Sequence, residues 1–258
     1  MMSGKILVIK TGNTLPSLLD ENEDFENWFI RGTGLDAKRF VCCAVDKGES
    51  LPAIDDVVAA IVTGSPAYVT DLAPWNESSA VYLRLLHQQQ KPILGVCYGH
   101  QLLAWAFGGV VGFHPNGREI GTIDIELTLE AASDVLFAKM PKQFSAQASH
   151  RQSVLSLPDG AVLLAKNSFD AHHAFRLGSS TWGVQFHPEF SAHIMSIYIC
   201  ERRDDIAREC LNVDELLARV DATPVSESLL QQFSALLCRC RIFFIHDFSD
   251  SFCCRLSQ

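Results

Sequence analysis

Four stretches of this chain are apolar from end to end. Ile6-Leu7-Val8-Ile9, Val41-Cys42-Cys43-Ala44-Val45, Val57 to Val62 and Ile93-Leu94-Gly95-Val96 offer no polar side chain to either alternating face. A strand of that kind cannot leave one face in water, so its sheet must be covered on both sides. Segments with helical spacing separate these runs. Asp24 to Arg31 places Phe25, Trp28 and Phe29 on one side, and Pro74 to Gln90 opens with a proline suited to a first turn. In that second segment Val81, Leu85 and Leu86 read as the apolar face, and a third helix is expected from His100 to Phe107, stopped by Gly108-Gly109. Apolar strands alternating with helices predict an α/β, three-layer fold with a mostly parallel central sheet.

The second half changes character. From Gly121 to Leu129, Ile123, Ile125, Leu127 and Leu129 alternate with Asp124, Glu126 and Thr128, which predicts an antiparallel strand with one wet face. Further strands are expected at Val162 to Ala165, His173 to Leu177 and Trp182 to Phe186, followed by C-terminal helices from Ser191 to about Leu237. The reading is a small antiparallel addition to the sheet. A length of 258 residues suits one domain, expected over residues 1–237, with a Cys-rich tail over 238–258.

Lys and Arg number 21 against 30 Asp and Glu, a formal charge of −9. Such a chain lacks the basic excess that neutralises phosphates or anionic lipid, so neither nucleic acid nor membrane is expected as a partner. No apolar run approaches the ~20 residues of a spanning helix, and Met1 to Lys10 has no signal-peptide pattern. A cytoplasmic protein is the expectation. Nine cysteines, an odd number in a chain too large to need stapling, read mainly as free thiols.

The chemistry concentrates in two segments. In Ile93-Leu94-Gly95-Val96-Cys97-Tyr98-Gly99-His100-Gln101 an apolar strand enters Gly-x-Cys-x-Gly and a helix follows at once, the context of a nucleophile elbow with Cys97 as nucleophile. So tight a turn has little room for side chains two positions either side, hence Gly95 and Gly99. It also aims a helix N-terminus at the sulfur, which favours thiolate. The bland alternative is a buried cysteine beside two packing glycines. In Gln185-Phe186-His187-Pro188-Glu189, residues i and i+2 of an extended segment project to one side, so Glu189 can orient the His187 ring while Pro188 stiffens the pair. Nucleophile, proton shuttle and orienting carboxylate are thus all encoded. The backbone N–H of Tyr98 is placed to meet a developing oxyanion, and the turn Thr63-Gly64-Ser65-Pro66 could bring a second donor close.

Together, Gly95 to Gln101 and Gln185 to Glu189 resemble the class I glutamine amidotransferase family, from about Ile6 to Leu237. The resemblance implies a flavodoxin-like sheet and attack of Cys97 on the γ-carboxamide of glutamine. His187 then protonates departing ammonia, Glu189 orients His187, and water hydrolyses a γ-glutamyl thioester. It further implies Ser65 and Tyr98 at the oxyanion and Gln101, Gly64 and His150 at the substrate, with no cofactor and no metal. Ser149-His150-Arg151-Gln152-Ser153-Val154 resembles the family's substrate loop, but Gln152 stands where many stand-alone members carry Asp. Gly64-Ser65-Pro66 and Gly117-Arg118-Glu119-Ile120-Gly121 are similar to the stand-alone, GMP-synthase-like branch, which includes γ-glutamyl peptidases.

Two enzymatic readings follow. One is a glutaminase passing ammonia to a separate synthetase subunit; the other is a γ-glutamyl peptidase needing no partner, and either leaves room for a homodimer. A non-catalytic binding or regulatory module is the rival from another class. Elsewhere Cys42-Cys43 reads as core, His172-His173 as a strand start without matching metal ligands, and His114 as a loop residue. Cys238, Cys240, His246, Cys253 and Cys254 match no zinc spacing, and a frayed extension is the simpler reading.

Overall fold

The structure, a computed structural model, describes residues 4–21 and 23–246, with side chains described through Cys238. Five strands run parallel in the order β2-β1-β3-β4-β11: Phe40–Ala44, Lys5–Lys10, Val57–Val62, Ile93–Val96 and Thr181–Val184. The same sheet continues antiparallel through β10 (Ala174–Leu177), β9 (Ala161–Lys166), β6 (Glu119–Leu127) and β7 (Gln143–His150). A separate two-stranded ribbon pairs β5 (Val110–Phe113) with β8 (Gln152–Ser156). Five of nine strands in the main sheet are mutually parallel, and they form one half of it, from the edge strand β2 to β11.

The period of two in β1 divides the core. Ile6 and Val8 belong to the apolar cluster on one face, with Phe25, Trp28 and Phe29 of α2 (Phe25–Thr33). Leu7 and Ile9 belong to the cluster on the other, with Leu83 and Leu86 of α3 (Pro74–Gln88) and Leu102 and Leu103 of α4 (Tyr98–Ala106). The short α1 (Pro16–Asp20) follows β1, and α5 (Ala192–Glu201), α6 (Arg203–Arg208) and α7 (Val213–Ala218) come after β11. The side chain of Asp24 caps α2 by accepting from Phe25 N, and Gly34 ends it in the left-handed region at φ 66°.

Some expectations need correcting. On α3 the buried face is Ala80, Leu83 and Leu86; Val81 and Leu85 are exposed, because the inward stripe lies one residue away from the one expected. Cys43 is core but Cys42 is exposed, since β2 is the edge of the sheet and only one of its faces is closed. The segment resembling a substrate loop is mostly strand: His150 ends β7 and Gln152 begins β8, with Arg151 between them. The last helix, α8 (Pro224–His246), runs on past Leu237. Cys238 on it is exposed; the side chains of Cys240 and His246, and all of Cys253 and Cys254, lie outside the described residues.

Candidate active site

β4 and β11 lie side by side in parallel register, Gly95 opposite Gly183 and Val96 opposite Val184. Their carboxyl ends therefore deliver Cys97 and, three residues beyond β11, His187 to the same edge of the sheet. The ninety positions between them in the chain (97 to 187) are closed by this one pairing. Cys97 N donates to Val184 O at 2.9 Å, tying the turn directly to the neighbouring strand.

Cys97 is the N-cap of α4 with φ 52° and ψ −102°, a backbone region that side chains with a Cβ rarely enter. The flanking glycines have a steric reason. A Cβ on Gly95 would stand 2.4 Å from the Gly99 carbonyl oxygen, and one on Gly99 would stand 2.4 Å from the carbonyl oxygen of Val62 on β3. Neither neighbour can yield, because both are backbone. The strained turn keeps the sulfur at the surface of a cavity of about 200 Å³ lined also by Thr14, Phe25, Ser65, Ser149, His187, Tyr198 and Arg202. The sulfur lies 3.9 Å from the Ser149 carbonyl oxygen.

His187 is almost fully buried, and its Nδ1 is 2.7 Å from Glu189 Oε1. That contact keeps the proton on Nδ1, which donates to the carboxylate, and turns the opposite side of the ring toward the sulfur. Phe190 stacks on the ring at 4.0 Å between centroids, and His187 N donates to Gln147 O at 2.8 Å, so the imidazole is held in plane and in depth. Burial alone would lower its pKa, but the charge of Glu189 and then the Cys97 sulfur, by charge and hydrogen bond, reverse this and raise it to about 10. The imidazolium, a proton donor at neutral pH, is the favoured form.

The Gly64-Ser65 turn faces the same cavity. Ser65 Oγ is committed to the turn, donating to Thr11 O at 2.6 Å and accepting from Ala67 N at 3.1 Å. Any contact from Ser65 to a ligand oxygen therefore falls to its backbone N–H. Gly64 packs closely on the imidazole: a Cβ there would approach His187 Cε1 to 3.2 Å and press the ring aside. The Tyr98 side chain turns away, hydrogen-bonded to Asn76 Oδ1 at 2.5 Å, while its backbone opens the first turn of α4.

Gln101 and His150 are not among the cavity-lining residues. Gln101 Nε2 donates to Gln152 O at 2.7 Å and Gln185 Oε1 at 3.0 Å, and Gln152 Nε2 donates to Thr70 Oγ1 at 2.6 Å. His150 lies behind the site: its Nε2 is 2.9 Å from Glu119 Oε2, and His173 Nε2 is 3.0 Å from the same oxygen. The ligand-capable atoms of Glu119, His150 and His173 lie within 4.8 Å of one another, the one group among the described residues that could hold a metal ion. His173 therefore does have matching ligands beside it, brought by strands remote in sequence. His150 Nε2 is hydrogen-bonded to that oxygen, whereas His173 Nε2 lies within ion-pair distance without an aligned hydrogen bond. Burial would raise Glu119, but the two neighbouring imidazoles hold it well below the usual carboxylate range. His100 is also buried, its ring tilted against Phe175, and burial pushes it down to about 3, so it is neutral.

Thr14, Tyr198 and Arg202 were not anticipated from sequence. Only Phe190, next to the His-Pro-Glu segment, lay where a stacking aromatic could have been suspected.

Residues 42–202 match the family model described as glutamine amidotransferase class-I. Among curated proteins, GMP synthase (glutamine-hydrolyzing) of Aeropyrum pernix is 37% identical over 142 residues, covering 55% of this chain and 25% of that protein. A GMP synthase (glutamine-hydrolyzing) subunit of Methanocaldococcus jannaschii is 38% identical over 99 residues, 38% of this chain and 50% of that one. The chain thus spans only a quarter to a half of these relatives. A crystal structure of a glutamine amidotransferase from Thermotoga maritima superposes with a TM-score of 0.71 at 21% identity, covering 90% of this chain and 97% of its own, a likeness of fold. The match over most of the chain establishes that this protein belongs to the class I glutamine amidotransferase family.

Proposed function

We propose that the domain is a glutaminase-type hydrolase acting on γ-glutamyl amides, with Cys97, His187 and Glu189 as its catalytic set. The observation that carries this is the His187 ring, bridging Glu189 and the Cys97 sulfur at the wall of a cavity. Cys97 thiolate attacks the amide carbon and a C–S bond forms. The oxyanion is met by the backbone N–H groups of Tyr98 and Ser65. The C–N bond then breaks as His187 gives its proton to the departing nitrogen. Water, deprotonated by His187, adds to the thioester carbon; the C–S bond breaks and thiolate returns. Gly64 leaves space for the acyl chain, while Gln101 and His150 support the β7–β8 turn that carries Ser149, so their effect on substrate is through that turn.

Where ammonia is the product, a separate synthetase subunit is a natural acceptor, a reading supported by relatives named as GMP synthase or as one of its subunits. Cleavage of γ-glutamyl peptides is the second reading, favoured by the Arg202 guanidinium on the cavity wall. A purely regulatory module would have no use for a strained cysteine paired with an imidazolium. No described helix is long and apolar enough to cross a membrane. A cytoplasmic location belongs to this reading, supported by the kinship with enzymes named GMP synthase.

The test is the purified chain assayed on glutamine and on γ-glutamyl dipeptides, with ammonia and free amine measured separately. Cys97→Ala is expected to lose hydrolysis and labelling by a glutamine-analogue electrophile. Unchanged turnover in that variant sinks the nucleophile assignment.

A further inference from the structure

The cavity beside Cys97 has a charged far wall that ammonia release does not require. From His187 the stack continues to Phe190, then to Tyr198 at 4.7 Å between centroids, and the Arg202 guanidinium lies over the Tyr198 ring at 4.6 Å. Tyr198 is fixed in turn by a 2.7 Å hydrogen bond between its hydroxyl and Thr14 Oγ1. Arg202 lies at the junction of α5 and α6 and reaches the cavity from there.

Arg202 Nη1 is buried and has no hydrogen-bond partner, and among the described residues the guanidinium forms no ion pair. The nearby carboxylates are engaged elsewhere: Glu201 accepts from Ser17, Asp205 pairs with Arg208, and Glu209 binds Arg118 at 2.8 and 3.0 Å. Burial lowers the Arg202 pKa, the electrostatic mark of a cation short of a counter-ion. A partly buried guanidinium with an unpartnered nitrogen and no anion is costly, and a carboxylate is the ligand whose two oxygens best match its donors.

The chemistry of the leaving group says which half of a substrate would gain from it. His187 delivers its proton to the departing nitrogen, so the leaving group occupies the imidazole side of the sulfur. Arg202 lines the same cavity and is joined to His187 by the ring contacts through Phe190 and Tyr198. A neutral ammonia molecule gains nothing from a guanidinium there, whereas an amino acid released from a γ-glutamyl bond carries a carboxylate.

Building on the hydrolase reading above, we propose that Arg202 is the anchor for the carboxylate of an amino-acid or short-peptide leaving group, which makes γ-glutamyl peptides the substrate class. The carboxylate could also belong to the glutamyl half, and the experiment separates the two. The full chain is assayed on γ-glutamyl-alanine and on its C-terminal amide, γ-glutamyl-alaninamide, which differ only at the leaving group. Wild type is expected to favour the acid in kcat/KM by about 10- to 100-fold, the range of a charge-assisted hydrogen bond. Arg202→Gln is expected to bring that ratio to within about threefold of one, while Arg202→Lys keeps part of the preference. Because the readout is a ratio, any general loss of activity or folding cancels.

A wild-type ratio near one, or the same ratio in Arg202→Gln, overturns the proposal. So does an Arg202→Gln loss that is equal for acid and amide, which assigns the arginine to the glutamyl carboxylate. Turnover of glutamine but of neither dipeptide overturns the leaving-group anchor alone and leaves the hydrolase standing. No turnover of any substrate, with no labelling of Cys97, removes both.

Discussion

Replacing Glu189 with Gln keeps the shape of the side chain and deletes its charge. The His187 ring is raised from 6.5 to about 10, which at about 1.4 kcal/mol per unit corresponds to roughly 5 kcal/mol in favour of the imidazolium. Burial pulls the other way, and the charge of Glu189 is the largest of the contributions that overcome it. Without it the ring falls from about 10 toward 6.5, and the sulfur alone must hold the proton. In the proposed mechanism the protonated ring is the acid for the leaving nitrogen, so activity is expected below its pKa and declines as pH rises through it. In the wild type the alkaline limb of kcat/KM is therefore expected near 10, and in Glu189→Gln it moves toward neutrality. At neutral pH kcat falls by about 10²- to 10⁴-fold, the usual scale of losing an oriented acid–base group.

The assay is release of ammonia or amine across a pH series, on whichever γ-glutamyl substrate turns over faster. Stability follows the same sign: a pKa raised on folding stabilises fully below 6.5, and that contribution is lost as pH rises through about 10. Urea midpoints from neutral to alkaline pH should fall in the wild type and fall less in Glu189→Gln. An alkaline limb that stays near 10 in the variant would refute the assignment of Glu189 as the group that charges the ring.

Two further outcomes test the elbow. Cys97→Gly should be more stable than Cys97→Ala by about 1–3 kcal/mol, because φ 52° with ψ −102° strains any residue with a Cβ; equal melting temperatures would count against stored strain. Gly99→Ala should cost more than about 3 kcal/mol or prevent folding, since its Cβ meets the Val62 carbonyl oxygen at 2.4 Å; a soluble variant with wild-type melting behaviour would show that β3 and α4 can separate.

How much of this was readable in advance varies with the kind of signal. Val57–Val62 and Ile93–Val96 were legible to the residue because a strand buried on both faces has no polar interruption. β7 was not: in Gln143–His150 the inward positions are Phe144, Ala146 and Ala148, and Gln147 and His150 are buried as well, so little apolar contrast marks the strand. β5 and β8 pair only with each other, and four or five residues with no second partner carry little pattern. The five residues of α1 span too little of a helical period to be recognised.

Local geometry followed from the order of residues alone. Gly-x-Cys-x-Gly after an apolar strand dictates its own turn, because steric exclusion acts within a few residues, and His-Pro-Glu aligns its two side chains through the geometry of an extended backbone. What joins them is not local. The pairing of β11 beside β4 brings His187 to Cys97, and the antiparallel extension brings Glu119 against His150 and His173. The cavity wall at Tyr198 and Arg202 depends likewise on where α5 lies against the sheet. Each of these contacts joins residues far apart in the chain, and strand order and helix packing, which set them, are properties of the whole core.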